Sequence, residues 1–239
     1  MDEFWMLDLF ELLDINEKQV LLDFGANVGQ SLLKWKAAFP NNPYYGIELL
    51  PSCINYLNLL VSENGFEECY IIDKLISSGE KQQELFIHFN DPTDRTASLR
   101  RSDLFKVRKS IMVESIPFEE LSVQYKIARD QIGIIKIDIE GAELELLYHL
   151  EDLLREQRPL IIVEILPDYH TESELAEFLE FLNELEYDMY RILKRKLRLQ
   201  SLKKIDSIDM QTSVQESDYL LVPRGGLTGY FNQAPTVDP

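Results

Sequence analysis

Two almost continuous apolar runs, at 132–139 and 160–166, constrain the fold of this chain more than any other feature. A strand that reads as nearly unbroken Val, Ile and Leu is buried on both faces, which happens where helices cover both sides of a parallel sheet. Further strands are expected at 20–25, 44–49 and 69–73, with helices between them at 29–39 and Pro51–Asn64. The first of these helices puts Val28, Leu32, Trp35 and Phe39 on one face, and Pro40 stops it. After residue 139, Leu146, Leu147, Leu150, Leu153 and Leu154 form one helical stripe. Thr171 with Glu174 then reads as a capping box, opening a helix that buries Leu175, Phe178, Leu179, Leu182 and Leu185. Segments 188–193 and 219–222 are expected as the last two strands. This alternation predicts an α/β fold, a doubly wound and mainly parallel sheet. Such sheets bind ligands at the carboxyl ends of their strands, where strand order reverses. Function is therefore expected just after Leu22, Ile47, Ile72, Ile137 and Ile165.

Three regions stand outside the alternation. Residues 1–19 carry an amphipathic helical segment with Phe4, Trp5, Leu9, Phe10 and Leu13, expected to pack on its own domain. Residues 84–115 hold two extra strands, at 84–89 and 110–114, around a basic loop. Residues 225–239 contain glycine and proline without periodicity and are expected to be a flexible tail. The remainder, 1–224, is expected to be one domain, a size that supports a substantial core.

The richest N-terminal apolar stretch, 4–13, is broken by Asp8 and Glu11 and follows no basic segment, so neither a membrane span nor a secretory signal is expected. Two isolated cysteines, Cys53 and Cys69, suit a reducing, cytoplasmic setting. The net charge of −18 disfavours general nucleic-acid binding. The basic residues are nonetheless concentrated. Segments 95–109 and 191–204 hold 13 of the 24 lysines and arginines, so one of these patches is a candidate for meeting an anionic substrate.

The first strand ends in Asp23-Phe24-Gly25-Ala26-Asn27-Val28-Gly29. Gly25 and Gly29 allow a ligand to approach the backbone, and Asn27 tolerates a left-handed conformation better than most residues. Asp23 can accept hydrogen bonds or face a cationic amino group. Glu48 ends the second strand, roughly 20 residues further on, where an acid accepts the hydroxyls of an adenosine ribose. These features fit nicotinamide cofactors and S-adenosylmethionine alike. The segment Ile135-Lys136-Ile137-Asp138-Ile139-Glu140-Gly141-Ala142-Glu143 sets two carboxylates, Asp138 and Glu140, at the end of a buried strand. Carboxylates there are costly to desolvate unless paired or functional.

The succession Asp23-to-Gly29 turn, Glu48, the Lys136-to-Glu143 block and Ile161-Ile162-Val163-Glu164 resembles the FkbM family of methyltransferases, from about Val20 to Arg224. The resemblance implies a Rossmann-like class I methyltransferase sheet of seven strands with an antiparallel last strand. It also implies S-adenosylmethionine as methyl donor, and O-methylation of a sugar, glycan precursor or other small hydroxylated metabolite. On that resemblance Asp23, Gly25, Asn27, Gly29 and Glu48 are expected to hold the cofactor, with Asp73 near its adenine. The family more often shows a small residue and serine close by, here Leu75-Ile76-Ser77. Asp138, Glu140, Glu164 and His170 are the candidates for the base that relieves the acceptor hydroxyl of its proton. Arg95, Arg100 and Arg101 are candidates for binding the acceptor. Asp138, Glu140 and Glu164 would also suit a divalent cation, although the pattern requires none. A nicotinamide-dependent oxidoreductase, a non-catalytic nucleotide-binding protein, and a protein or RNA methyltransferase are the alternatives.

Overall fold

The structure, a computed structural model, describes residues 4–77, 79, 81–89, 97–100, 106–213, 216–225, 227–233 and 235–238. The strands β1 (Val20–Phe24), β2 (Tyr44–Ile47) and β3 (Cys69–Ile72) alternate with α2 (Gln30–Ala38) and α3 (Pro51–Asn64), behind an N-terminal helix α1 (Phe4–Leu12). The insertion supplies β4 (Leu75–Ile76), β5 (Gln82–Ile87) and β6 (Lys109–Ile116), followed by α4 (Phe118–Gln124). The second half runs β7 (Ile132–Ile137), α5 (Glu143–His149), α6 (Glu151–Gln157), β8 (Leu160–Glu164), α7 (Glu172–Glu184), β9 (Tyr187–Arg195), β10 (Arg198–Ile205), β11 (Asp218–Pro223) and β12 (Val237–Asp238).

The main sheet has the order β12-β10-β9-β11-β8-β7-β1-β2-β3. Strands β3, β2, β1, β7 and β8 are mutually parallel, and β11 runs antiparallel to both β8 and β9. From β1 the chain moves outward to β3 and then returns to β7 on the other side of β1. The reversal therefore lies between β1 and β7. Side chains alternate across these strands. Leu22, Phe24, Ile135 and Ile137 enter one core, with α4 to α7, while Leu21, Ile134 and Ile162 enter the other, with α1, α2 and α3.

The seven expected strands are present, with β11 as the antiparallel one, and the sheet has nine. Strand β10 was not expected, because nothing in Arg195-Lys196-Leu197-Arg198 signals a turn. Two-residue hairpins with a type I′ turn need φ > 0 at both central positions and usually use Asn-Gly. Here Lys196 (φ 50) and Leu197 (φ 66) take those positions. The tail also departs from expectation. Rather than hanging free, Val237 and Asp238 pair with Leu202 and Lys203 of β10. Upstream, Phe231 bridges Leu13, and the Asn232 N–H donates to the Leu12 carbonyl at 2.9 Å. The tail has no periodicity because it is held by isolated backbone bonds and a two-residue strand. The leucine stripe expected as one helix is split at Leu150 into α5 and α6, with both halves buried.

The insertion folds as expected, with β5 and β6 antiparallel, and adds β4 to make a separate three-stranded sheet. Helix α1 packs on its own domain. Phe10 meets Trp35 edge-on at 5.4 Å between centroids, and Asp8 binds Arg198 Nε and the Leu199 N–H at 2.8 and 3.0 Å. Among the described residues no helix is long and apolar enough to cross a membrane.

Candidate active site

A cavity of about 750 Å³ opens at the carboxyl ends of the strands, at the β1–β7 reversal. Its size lies within the ~300–1,000 Å³ typical of small-molecule sites. One end is walled by Leu50, Leu75, Ile76, Ser77 and Leu85, and its middle by Gly25, Ala26, Asn27, Val28 and Glu48. The far end carries Asp138, Glu140, Glu164, Asp218, Lys194, Lys196 and Leu197, with Trp5 of α1.

The glycine turn is built from inside the protein. Gly25 has φ +83, and a Cβ on it would lie 1.8 Å from the Asp138 carbonyl oxygen. Its freedom thus serves the close approach of the two strand ends. Gly29, expected at the cofactor, does not line the cavity. It begins α2 at φ +80, with its Cα turned toward Leu57 and Leu60 of α3. Asn27 is left-handed (φ 44), accepts the Val28 N–H at 2.9 Å through Oδ1, and donates its own N–H to Glu48 Oε2 at 2.8 Å. Glu48 Oε1 accepts the Leu49 and Leu50 N–H groups, both at 2.8 Å. Burial raises the pKa of this carboxyl, and the three backbone donors work against that rise. A carboxylate offers about four acceptor positions, so one stays open on the cavity side.

Asp23 is the first correction. It is fully buried and is not part of the cavity wall. Its Oδ2 accepts the Tyr44 hydroxyl at 2.5 Å and the Ser31 hydroxyl, and its Oδ1 lies 3.2 Å from Lys136 Nζ. The cationic amino group it faces is therefore the protein's own. Burial first, then the Asp23 charge, pushes the Tyr44 phenol well up. Lys136 also donates to the Gly25 carbonyl at 3.2 Å and reaches Asp138 Oδ2 at 3.4 Å. Lys136 was not among the expected site residues, although a lysine inside an apolar strand needs such anions and is itself a signal in the sequence.

The two central carboxyls meet. Glu164 accepts the Ser217 hydroxyl at 2.9 Å through Oε1. Its pKa is raised far above the carboxylate range, first by burial and then by the charges of Asp138 and Asp218 and a hydrogen bond with Asp138. Burial and its acidic neighbours thus hold Glu164 as a neutral acid beside Asp138, whose side chain is 40% exposed. Glu140, left-handed at φ 55, stands by Tyr169, whose phenol is held up by burial and then by this carboxylate. The described residues include no group of His, Cys, Asp and Glu suited to a metal ion, so the cation option for Asp138, Glu140 and Glu164 finds no support.

Three other expectations are revised. His170 does not face the cavity; it is buried behind the β7 turn with Nε2 3.6 Å from Glu143 Oε2. Glu143, not anticipated, organises that turn by accepting the Gly141 N–H at 2.9 and 3.0 Å. Asp73 lies outside the cavity, 60% exposed and paired with Lys74 at 3.4 Å, and Leu75, Ile76 and Ser77 take the wall instead. Arg100 is bound to Glu174 at 3.1 Å and so clasps the insertion to the start of α7. That acid is also fixed by the capping box with Thr171. Its neighbours Ala97 and Leu99, rather than its guanidinium, reach the cavity. Arg95 and Arg101 lie outside the described residues. Sequence reasoning missed Asp218 and Trp5 as cavity residues, while Lys194 and Lys196 come from the basic 191–204 segment, one of the two patches offered for an anionic substrate; the topology brings all four to the cavity from distant segments.

A parallel sheet reversing at β1, an antiparallel β11 inserted between β8 and β9, and a cavity over the strand ends define a Rossmann-like class I methyltransferase fold. An FkbM methyltransferase from Methylobacillus flagellatus KT is similar, with a TM-score of 0.52 at 15% identity over 86% of this chain and 44% of that one. This chain thus spans less than half of that protein's length. A precorrin-6y C5,15-methyltransferase from Geobacter metallireducens GS-15 gives a TM-score of 0.48 at 10% identity, over 92% of this chain and 84% of that one. A Podospora anserina methyltransferase with S-adenosylhomocysteine bound gives 0.48 at 12% identity, over 92% and 76%. No curated protein matches. Residues 23–189 match the methyltransferase FkbM domain, and the chain belongs to that family.

Proposed function

We propose that this chain uses S-adenosylmethionine to methylate a hydroxyl oxygen of a sugar, a glycan precursor or another small hydroxylated metabolite. The observation that carries this reading is one continuous cavity lined by the Glu48 carboxylate at the end of β2 and by the Asp138–Glu164 pair at the ends of β7 and β8. The residues fit the donor. Leu50, Leu75, Ile76 and Ser77, an apolar slot with one hydroxyl, would hold an adenine, Glu48 would accept from a ribose hydroxyl, and Asn27 and Val28 would hold the amino-acid portion. When bound, S-adenosylmethionine supplies an electrophilic methyl group on a sulfonium. Methyl transfer is an in-line displacement, so positioning carries much of the rate. Asp138 would take the proton that the acceptor hydroxyl gives up. Glu164, already protonated, holds Asp138 by a hydrogen bond without repelling it. Asp23 acts through Lys136, which fixes both Gly25 and Asp138.

Glu48→Ala is expected to weaken S-adenosylhomocysteine binding about 10- to 100-fold, the loss of one charge-assisted hydrogen bond and of the turn it organises. Unchanged affinity by calorimetry would remove Glu48 from the donor site. Methyl-labelled donor, incubated with hydroxylated sugars, glycans and lipids beside protein and RNA, is expected to label a small hydroxylated acceptor. Label found only in protein or RNA would overturn the acceptor class.

A further inference from the structure

We infer that the tip of the β9–β10 hairpin is the acceptor-recognition element, and that Lys196 holds an anionic group of the acceptor, a phosphate or a carboxylate. This rests on the methyl-transfer reading above. Three lysines line the cavity, Lys136, Lys194 and Lys196. The first two are committed. Lys136 is paired with Asp23 and Asp138, and Lys194 with Asp218 while lying 5.4 Å from the Trp5 ring centroid. Lys196 makes no ion pair or side-chain hydrogen bond with the described residues, and it is exposed at the cavity mouth. An unpaired cation on a cavity wall is a place for a ligand's negative charge.

The backbone argues for the same assignment. Lys196 and Leu197 are consecutive side-chained residues in the left-handed region, and both residues line the cavity. Asn-Gly would make this turn without strain, but it would place no long side chain there. Strain that persists is over-determined by its surroundings. Here Trp5 donates its N–H to the Leu197 carbonyl at 2.8 Å, and Asp8 grips Arg198 and the Leu199 N–H just beyond the tip. Helix α1 thus splints the hairpin.

Position in the sheet separates donor from acceptor. Strand β9 lies five places from β2, the strand that ends at Glu48. At ~4.8 Å per strand this is about 24 Å, too far for a donor seated on Glu48 to bring its own carboxylate to Lys196. Asp138 and Glu164 end the strands between, so an acceptor anchored at Lys196 would lay its hydroxyl toward them.

Glucose 6-phosphate, glucuronate and glucose serve as probes by calorimetry, with and without S-adenosylhomocysteine. The expected result is saturable binding of one or both anionic hexoses, about tenfold tighter than glucose. The phosphate and the carboxylate arms tell the two anions apart. Lys196→Gln is expected to erase that preference, Lys196→Arg to keep it, and neither to change S-adenosylhomocysteine affinity. Equal affinity for charged and neutral hexose, no saturable binding of either anion, or an anion preference that survives in Lys196→Gln overturns the inference. Failure of S-adenosylhomocysteine to bind overturns the donor assignment alone, because the anion preference is also read without it.

Discussion

Asp138→Asn is expected to lower kcat by about 10²–10⁴-fold, the usual span for removing a general base, with S-adenosylhomocysteine affinity nearly unchanged. Asparagine keeps the shape of Asp138 and still accepts from Lys136, 3.4 Å away, but it cannot take a proton. The loss belongs in kcat, because the proton moves only on the way to the transition state. If labelled methyl transfer continues near the wild-type rate, Asp138 is not the base.

Glu164→Gln is the matched control, and the expected outcome is opposite. Burial and the neighbouring carboxylates keep Glu164 protonated, and a glutamine amide is a neutral stand-in that can still accept from Ser217 and donate to Asp138. Activity should largely survive. Stability supplies a second readout whose sign is fixed. The folded pKa lies above the unfolded value of about 4.5, so the unfolded chain ionises first as pH rises. The favourable contribution of protonated Glu164 is complete below that value and is lost progressively up to the folded pKa. Glu164→Gln does not titrate, so its stability advantage over wild type should be absent near pH 4 and reach roughly 1–3 kcal/mol by pH 7 in denaturant titrations. A constant difference across that range would mean that Glu164 is ionised in the fold.

The contrast between these two acids marks how far the sequence could be read. Which strands exist, and that Glu48, Asp138 and Glu164 end them, follows from runs of apolar residues, because burial on both faces leaves a one-dimensional trace. Which way a side chain turns at a strand end leaves none. Asp23 and Glu48 both follow apolar strands, yet the first is sealed in by Tyr44, Ser31 and Lys136 while the second borders the cavity. His170 and Arg100 were placed near the active edge by position alone, and Glu143 and Glu174 take them up from other segments. The β9–β10 hairpin escaped notice because its tip breaks the rule by which such turns are recognised.

Gly25→Ala is expected to be the most damaging single substitution, destabilising the chain by about 3–5 kcal/mol or preventing folding. Two causes add. Alanine is disfavoured at φ +83, and its Cβ would lie 1.8 Å from the Asp138 carbonyl oxygen. That oxygen is backbone at the end of a strand buried in the centre of the sheet, and it has no rotamer to change. Gly29→Ala separates the two causes. Its φ of +80 is similar, but its Cβ would meet only the tips of the Leu60 and Leu57 side chains, at 2.7 and 2.9 Å, and these can swing aside. Gly29→Ala should therefore cost about 1–2 kcal/mol, close to the backbone term alone. Thermal melts of the two proteins measure the difference, and equal losses would refute the close approach of the β1 and β7 turns. That approach also sets function. Gly25 and Asp138 are joined through the Asp138 N–H, which donates to the Phe24 carbonyl at 3.0 Å, and through Lys136, which bonds to both. The glycine turn and the Asp138 carboxylate, both on the cavity wall, are thus one rigid unit. Any Gly25→Ala protein that does fold should bind donor weakly and also turn over slowly, because neither half of the site can shift without the other.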